Sequence, residues 1–192
     1  MGDSVFYIVS IARVPVVALS CNGKQGGEVK EAFVPPQETS ANLTPRSSNA
    51  WLFQSNPVLY DLRGALRSLR EQVWSVSRYA NEIRKGDRVY LWEAGRQGGI
   101  AGVAEIREPA RLQSEASEQL PFAKIAGTFA GERLRAKLDI LKVIEPVIPR
   151  QSVLSTPELS RLGVFRCSRG TNFRLSLEQW QALNYLTLSD VA

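Results

Sequence analysis

The run RLRAKLDILKVIEPVIP, from Arg133 to Pro149, constrains the fold more than any other stretch of this chain. Its apolar and polar residues alternate enough to specify a long strand, ended by Pro146 and Pro149. Shorter runs carry the same signal. AWLFQS, from Ala50 to Ser55, is a short strand, and GDRVYLWEAG is a turn, a strand and a turn. In the latter, Val89 and Leu91 face one way and Tyr90 and Trp92 the other. IAGVAEI is a further strand, and Gly102 within it marks a close backbone approach or a bulge.

Helical signals are interspersed among these strands. Asn56 is placed to cap a helix, Pro57 suits its first position, and Asp61 lies in its first turn. Leu62, Leu66, Leu69 and Val73 recur at helical spacing, which predicts a helix over residues 57–72. Its opposite side carries Arg63, Arg67 and Arg70, a solvated stripe or a set of phosphate contacts. Ser176 and Gln179 form a capping box that starts a helix in SLEQWQALNYL, turning Trp180 and Leu183 inward. STPEL starts a short helix, and residues 110–131 are polar and irregular, with one short helix. Strands and helices do not alternate regularly. That order predicts an α/β (α+β) domain, a small mixed β-barrel or twisted sheet flanked by helices.

The 192 residues suffice for one domain. Residues 22–49 are rich in Gly, Pro, Ser, Asn and Thr without sustained apolar period, so residues 1–49 are expected to be a largely disordered or linker extension. The ordered domain then spans 50–192. Of the 24 basic and 19 acidic groups, four of each lie in residues 1–49, leaving 20 against 15 for residues 50–192. A basic domain suits an anionic partner such as nucleic acid, or serves solubility alone. The apolar run from Val5 to Cys21 is broken by Arg13 and Pro15 and cannot span a membrane. MGDS ahead of it lacks the positive charge of a signal peptide, so a cytoplasmic protein is expected.

Catalytic chemistry finds little support. The chain has no His, which removes the commonest general base and most zinc sites. Cys21 and Cys167 form no C-x-x-C pair. GRQGGIAG lacks the ending of a phosphate-binding P-loop. No catalytic residue, metal ligand or cofactor is assigned.

Binding finds more. Between Glu158 and Glu178 there is no acid but four arginines: Arg161, Arg166, Arg169 and Arg174. FRCSRGTNFR reads as a loop in which Gly170 allows a tight turn. It is either a plain exposed basic loop or one whose N–H groups and Ser168, Thr171 and Asn172 side chains meet phosphate or base edges. Trp92 on its strand and Trp74 after the expected helix are ordinarily core residues. Trp74 also precedes the polar run SVSRY, where a ring at a cavity rim could stack on a base. A pocket of that kind reads a base only once the base has left the duplex.

WLFQSNPVLYDL, WSVSRYANEIRKGDRVYLWEAG, GGIAGVAEI and RGTNFRLSLEQWQAL resemble, in order, the motifs of the EVE domain, a PUA-like fold, over about residues 50–186. GVAEI also resembles the related YTH domain. The resemblance implies a small β-barrel that reads a modified base in an aromatic cage. For EVE domains of modification-dependent restriction, the base is 5-methylcytosine or 5-hydroxymethylcytosine in DNA. For YTH domains it is N6-methyladenine in RNA, so an RNA-directed role in translation or RNA modification is the alternative. Carried over by motif, Trp74 is a cage residue, Ser75 a contact beside it and Trp92 a second wall. Asn56 and Asn172 would bond base edges, and Arg78, Lys85, Arg166 and Arg169 would meet phosphates. Restriction members are often fused to a nuclease or an AAA-type motor. This chain carries neither, so the resemblance implies binding without cutting, or action with a separate nuclease or motor subunit.

Overall fold

A computed structural model describes residues 49–167 and 169–188. The expected extension over residues 1–49, apart from Asn49, lies outside the described residues, as do Cys21 and Ser168.

Among the described residues, six strands form one mixed sheet: β1 (Ala50–Ser55), β2 (Glu71–Ser75), β3 (Arg88–Glu93), β4 (Gly99–Gln113), β5 (Arg133–Pro149) and β6 (Asn172–Arg174). Their spatial order is β2-β5-β4-β3-β1-β6. β1 runs parallel to β3, and the other pairs are antiparallel. The architecture is that of a PUA-like domain, but the ladder does not close into a full barrel: β2 and β6 remain as edges. The expected long strand is β5. Gly102 sits at a register shift of the β4–β5 ladder, as its place in an apolar strand suggested. There a Cβ would lie 3.0 Å from the Lys142 carbonyl oxygen.

Alternation along the strands sends residues into two cores. Trp51, Phe53, Trp74, Val89 and Leu91 enter one, together with Leu62, Ala65 and Leu66 of α1 (Leu62–Ser68). Leu52, Tyr90 and Trp92 enter the other, with Val153 of α2 (Arg150–Ser155), Val164 of α3 (Gly163–Arg166) and Leu183 of α4 (Leu177–Leu188). The capping box at the start of α4 forms reciprocally: the Ser176 N–H donates to Gln179 Oε1 at 3.1 Å, and the Gln179 N–H to Ser176 Oγ at 3.2 Å.

Two local expectations are corrected. The helix predicted over 57–72 is confined to Leu62–Ser68, with Asp61 as its N-cap, and the chain is strand from Glu71. Helical spacing of leucines is a local signal, and the five-residue pairing of β2 with β5 overrides it. Asn56 instead caps the preceding turn, its Oδ1 accepting from the Val58 N–H at 3.0 Å. The arginine stripe is partly committed to ion pairs: Arg63 with Glu93 at 2.7 Å and Arg67 with Glu145 at 2.6 Å. Likewise FRCSRGTNFR is not one loop, because it begins in α3 and ends in β6.

Candidate nucleic-acid interface

The gap between the two sheet edges is bridged by side chains. Asn172, fully buried in β6, accepts from the Ser77 N–H at 3.0 Å and donates to the Ser75 carbonyl at 3.3 Å. One amide side chain thus supplies the donor and acceptor that a neighbouring strand would offer. Thr171 reinforces the bridge, its Oγ1 2.6 Å from Ser77 Oγ and 2.9 Å from Asn172 Oδ1. The outer edge of β2 is met in the same way at Val73. The buried Gln119 carboxamide accepts from the Val73 N–H and donates to the Val73 carbonyl at 3.1 Å.

Because the edges are held by side chains rather than a ladder, a cavity of about 350 Å³ stays open there. That is the low end of the roughly 300–1,000 Å³ typical of small-molecule clefts. Three aromatic residues line it: Trp74, Tyr60 and Phe129. Tyr60 and Phe129 meet edge to face, with centroids 5.7 Å apart, and Trp74 leans on Phe53 at 5.9 Å. Gln54, Ser55 and Asn56 line it from the end of β1, and Arg169, Gly170 and Thr171 from the loop before β6. Gly170 leaves no room for a side chain: a Cβ would stand 2.5 Å from Cζ of Phe173.

Polar groups complete the wall. The Tyr60 hydroxyl accepts from Gln119 Nε2 at 3.2 Å. Burial, above all, pushes its pKa up to about 12, so it stays a neutral donor. Glu115 lines the cavity, and its Oε2 lies 3.2 Å from Nε of the fully buried Arg135. Burial holds the Glu115 carboxyl above the usual carboxylate range, while Arg135 and then Arg133 pull it back.

The site residues expected from sequence divide accordingly. Trp74, Ser75, Asn56 and Arg169 come together on the cavity. Asn172 braces its edge. Arg78 is exposed beside Ser77, the residue tied to Thr171, and does not itself line the cavity. Tyr79, the next residue, takes φ +61° and packs on Trp51 at 5.4 Å, which shapes this loop. Lys85 is exposed in the turn into β3, at the end of β1 and β3 opposite Ser55 and Glu93. Arg166 is exposed on α3 and does not line the cavity. Arg78, Lys85, Arg166 and Arg169 make no ion pair with another described residue.

Trp92 corrects the expectation of two tryptophans around one cavity. It belongs to the other core, 1% exposed and edge to face with Phe165 at 5.6 Å. Strand alternation puts it across the sheet from Leu91 and hence from Trp74's core. Tyr60 and Phe129 supply the further aromatic surface. Tyr60 was hidden inside the expected helix, and Phe129 inside the polar stretch 110–131, where no periodicity marks it. Among the described residues no group of three or more His, Cys, Asp or Glu could hold a metal ion, and no helix is long and apolar enough to cross a membrane.

The mixed sheet, helices on both faces and side-chain-bridged edge define a domain of the PUA-like class. The family model described as EVE domain matches residues 49–186, and the chain belongs to that family. Solved structures share the fold. A hypothetical protein from Leishmania major is 18% identical with TM-score 0.56, covering 77% of this chain and 99% of its own. Human THYN1, solved in complex with 5-methylcytosine containing DNA, is 16% identical with TM-score 0.54, covering 76% and 99%. A Pseudomonas putida protein is 22% identical with TM-score 0.53, covering 71% and 98%. No curated protein matches the sequence.

Proposed function

We propose that this protein is a non-catalytic nucleic-acid-binding module that reads a modified base, 5-methylcytosine or 5-hydroxymethylcytosine in DNA, after the base has flipped out of the duplex. The observation that carries the reading is the cavity lined by Trp74, Tyr60 and Phe129 with Arg169 beside them. A flat, weakly polar ring finds aromatic surface inside. The phosphates flanking it find Arg169 at the cavity, with the exposed Arg78 next to Ser77 as a further cation. Similarity of fold to human THYN1, solved with 5-methylcytosine containing DNA, supports the same choice of ligand. In this reading residues 50–192 are the reading domain, acting in the cytoplasm. Cleavage, where modification-dependent restriction is the outcome, falls to a separate nuclease or motor subunit.

The test is fluorescence anisotropy on the full chain at fixed salt, with matched duplexes carrying cytosine, 5-methylcytosine or 5-hydroxymethylcytosine. RNA with and without N6-methyladenine tests the alternative partner. Base stacking contributes about 1–3 kcal/mol, so Trp74→Ala is expected to weaken the preferred probe roughly 5- to 150-fold. Equal binding of all probes, unchanged by Trp74→Ala, would leave only a basic surface.

A further inference from the structure

We infer that Glu115 makes this cavity select a base bearing an exocyclic amino group, of the cytosine or adenine type, over its oxo counterpart. The inference rests on the base-reading proposal above. Aromatic walls recognise a flat ring but not its edge. Edge recognition needs a polar group that faces the cavity with hydrogen-bonding capacity still unspent.

Several of the polar groups on the cavity are already engaged. The Gln119 amide serves both backbone groups of Val73 and the Tyr60 hydroxyl. Asn56 Oδ1 serves its own turn, and Thr171 Oγ1 serves the edge bridge. Glu115 differs. Its side chain is only 9% exposed, and it meets Arg135 through Oε2. A carboxylate has about four acceptor positions and the contact with Arg135 spends one, so Glu115 keeps acceptor capacity on a residue that lines the cavity.

Arg135 explains how such a group is held. Its guanidinium is fully buried, a costly placement unless the charge is paired and hydrogen-bonded. It donates to the backbone carbonyls of Phe129 at 2.6 Å, Gly131 at 3.0 Å and Gln113, and pairs with Glu115. One cation therefore fixes both the acid and the backbone of an aromatic wall. Arg135 is a positioning residue; Glu115 is the group that would touch the base.

A carboxyl group opposite an amidine edge forms a cyclic pair. It accepts from the amino N–H, and the proton between oxygen and ring nitrogen can sit on either. Cytosine presents this edge at N3 and N4, and adenine at N1 and N6. An N6-methylated adenine keeps one amino hydrogen. Thymine and uracil present N3–H between two carbonyl oxygens, whose lone pairs face the carboxylate and oppose it. The Tyr60 hydroxyl, still holding its hydrogen, adds a donor for a ring nitrogen or carbonyl. The substituent at cytosine C5 lies off this edge and falls to the aromatic walls.

The test uses the full chain and single-stranded oligonucleotides, which removes differences in duplex opening. One central residue of an all-thymine strand is replaced by 5-methylcytosine, which differs from thymine only at the 4-amino and N3 positions. A third strand carries 5-methyl-2-pyrimidinone, which lacks the amino group. Wild type is expected to bind the 5-methylcytosine strand roughly tenfold or more tightly than the all-thymine strand, with the pyrimidinone close to thymine. Glu115→Gln keeps its amide oxygen on Arg135 Nε and turns its N–H toward the base, which removes the acceptor for the amino group, so it is expected to bring the ratio close to one. Equal binding of 5-methylcytosine and thymine by wild type overturns the inference. Should Glu115→Gln fail to fold by circular dichroism, the pyrimidinone strand decides with wild type alone: binding as tight as 5-methylcytosine overturns it. Trp74→Ala separates the two levels. Loss of the preference in Trp74→Ala but not in Glu115→Gln sinks only the role of Glu115. Indifference to Trp74→Ala sinks base reading itself.

Discussion

Asn172→Leu tests whether a side chain really substitutes for a strand at the edge of this sheet. The variant keeps a similar volume but removes the acceptor for the Ser77 N–H and the donor for the Ser75 carbonyl. Ser75 is half-buried and Ser77 exposed, so water can partly replace the lost partners. We therefore take about 1–1.5 kcal/mol for each of the two backbone groups, or about 2–3 kcal/mol in all. For a domain of this size that lowers Tm by about 5–10 °C. The assay is thermal unfolding by circular dichroism, with amide exchange at Ser77 as the local readout. Asn172→Asp supplies the control. It keeps an acceptor for Ser77 but sets a second oxygen against the Ser75 carbonyl, and full burial raises the carboxyl's pKa. Protonation restores the donor, so this variant is most stable at low pH and loses stability as pH rises through the raised value. A Tm drop below about 2 °C for Asn172→Leu, with Ser77 exchange unchanged, would refute the reasoning.

Other consequences are open to direct measurement. The raised carboxyl of Glu115 contributes stability that is complete below the ordinary Glu range near 4.3 and is lost as pH rises through its higher folded value. Glu115→Gln should flatten that decline in urea midpoints taken across about pH 4–8, and parallel curves would count against it. Trp51→Phe removes the indole donor to the buried Asp87 at 2.8 Å, leaving that Oδ2 with only the Arg84 N–H at 2.9 Å. A loss of at least about 2 kcal/mol in urea unfolding is expected. Arg169→Ala should weaken every nucleic-acid probe alike and reduce the salt slope of binding by about one, whereas a change confined to the modified probe would make Arg169 a base contact.

Features that rest on near neighbours in the chain are legible in the sequence itself. The alternation of Val89, Tyr90, Leu91 and Trp92 assigns them to two faces, and both cores obey it. Ser176 and Gln179 announce their capping box, and the strand from Arg133 to Pro149 is where its pattern puts it. Trp74, Ser75, Asn56 and Arg169 stand out by residue type and motif, and they meet on one cavity. What alternation does not disclose is which face carries the opening, and so Trp92 is expected as a second wall while only Trp74 reaches it. The helix expected to run to residue 72 fails for a related reason: leucine spacing is judged within a few residues, whereas β2 is decided by its partner β5. Tertiary structure alone joins Ser77 to Asn172 across 95 residues, sets the buried Arg135 against Glu115, and brings Tyr60 and Phe129 together on one wall. Local periodicity follows from backbone geometry and can be read along the chain. A cavity is the space between segments, and its shape exists only once distant hydrogen bonds have set how far apart they stand.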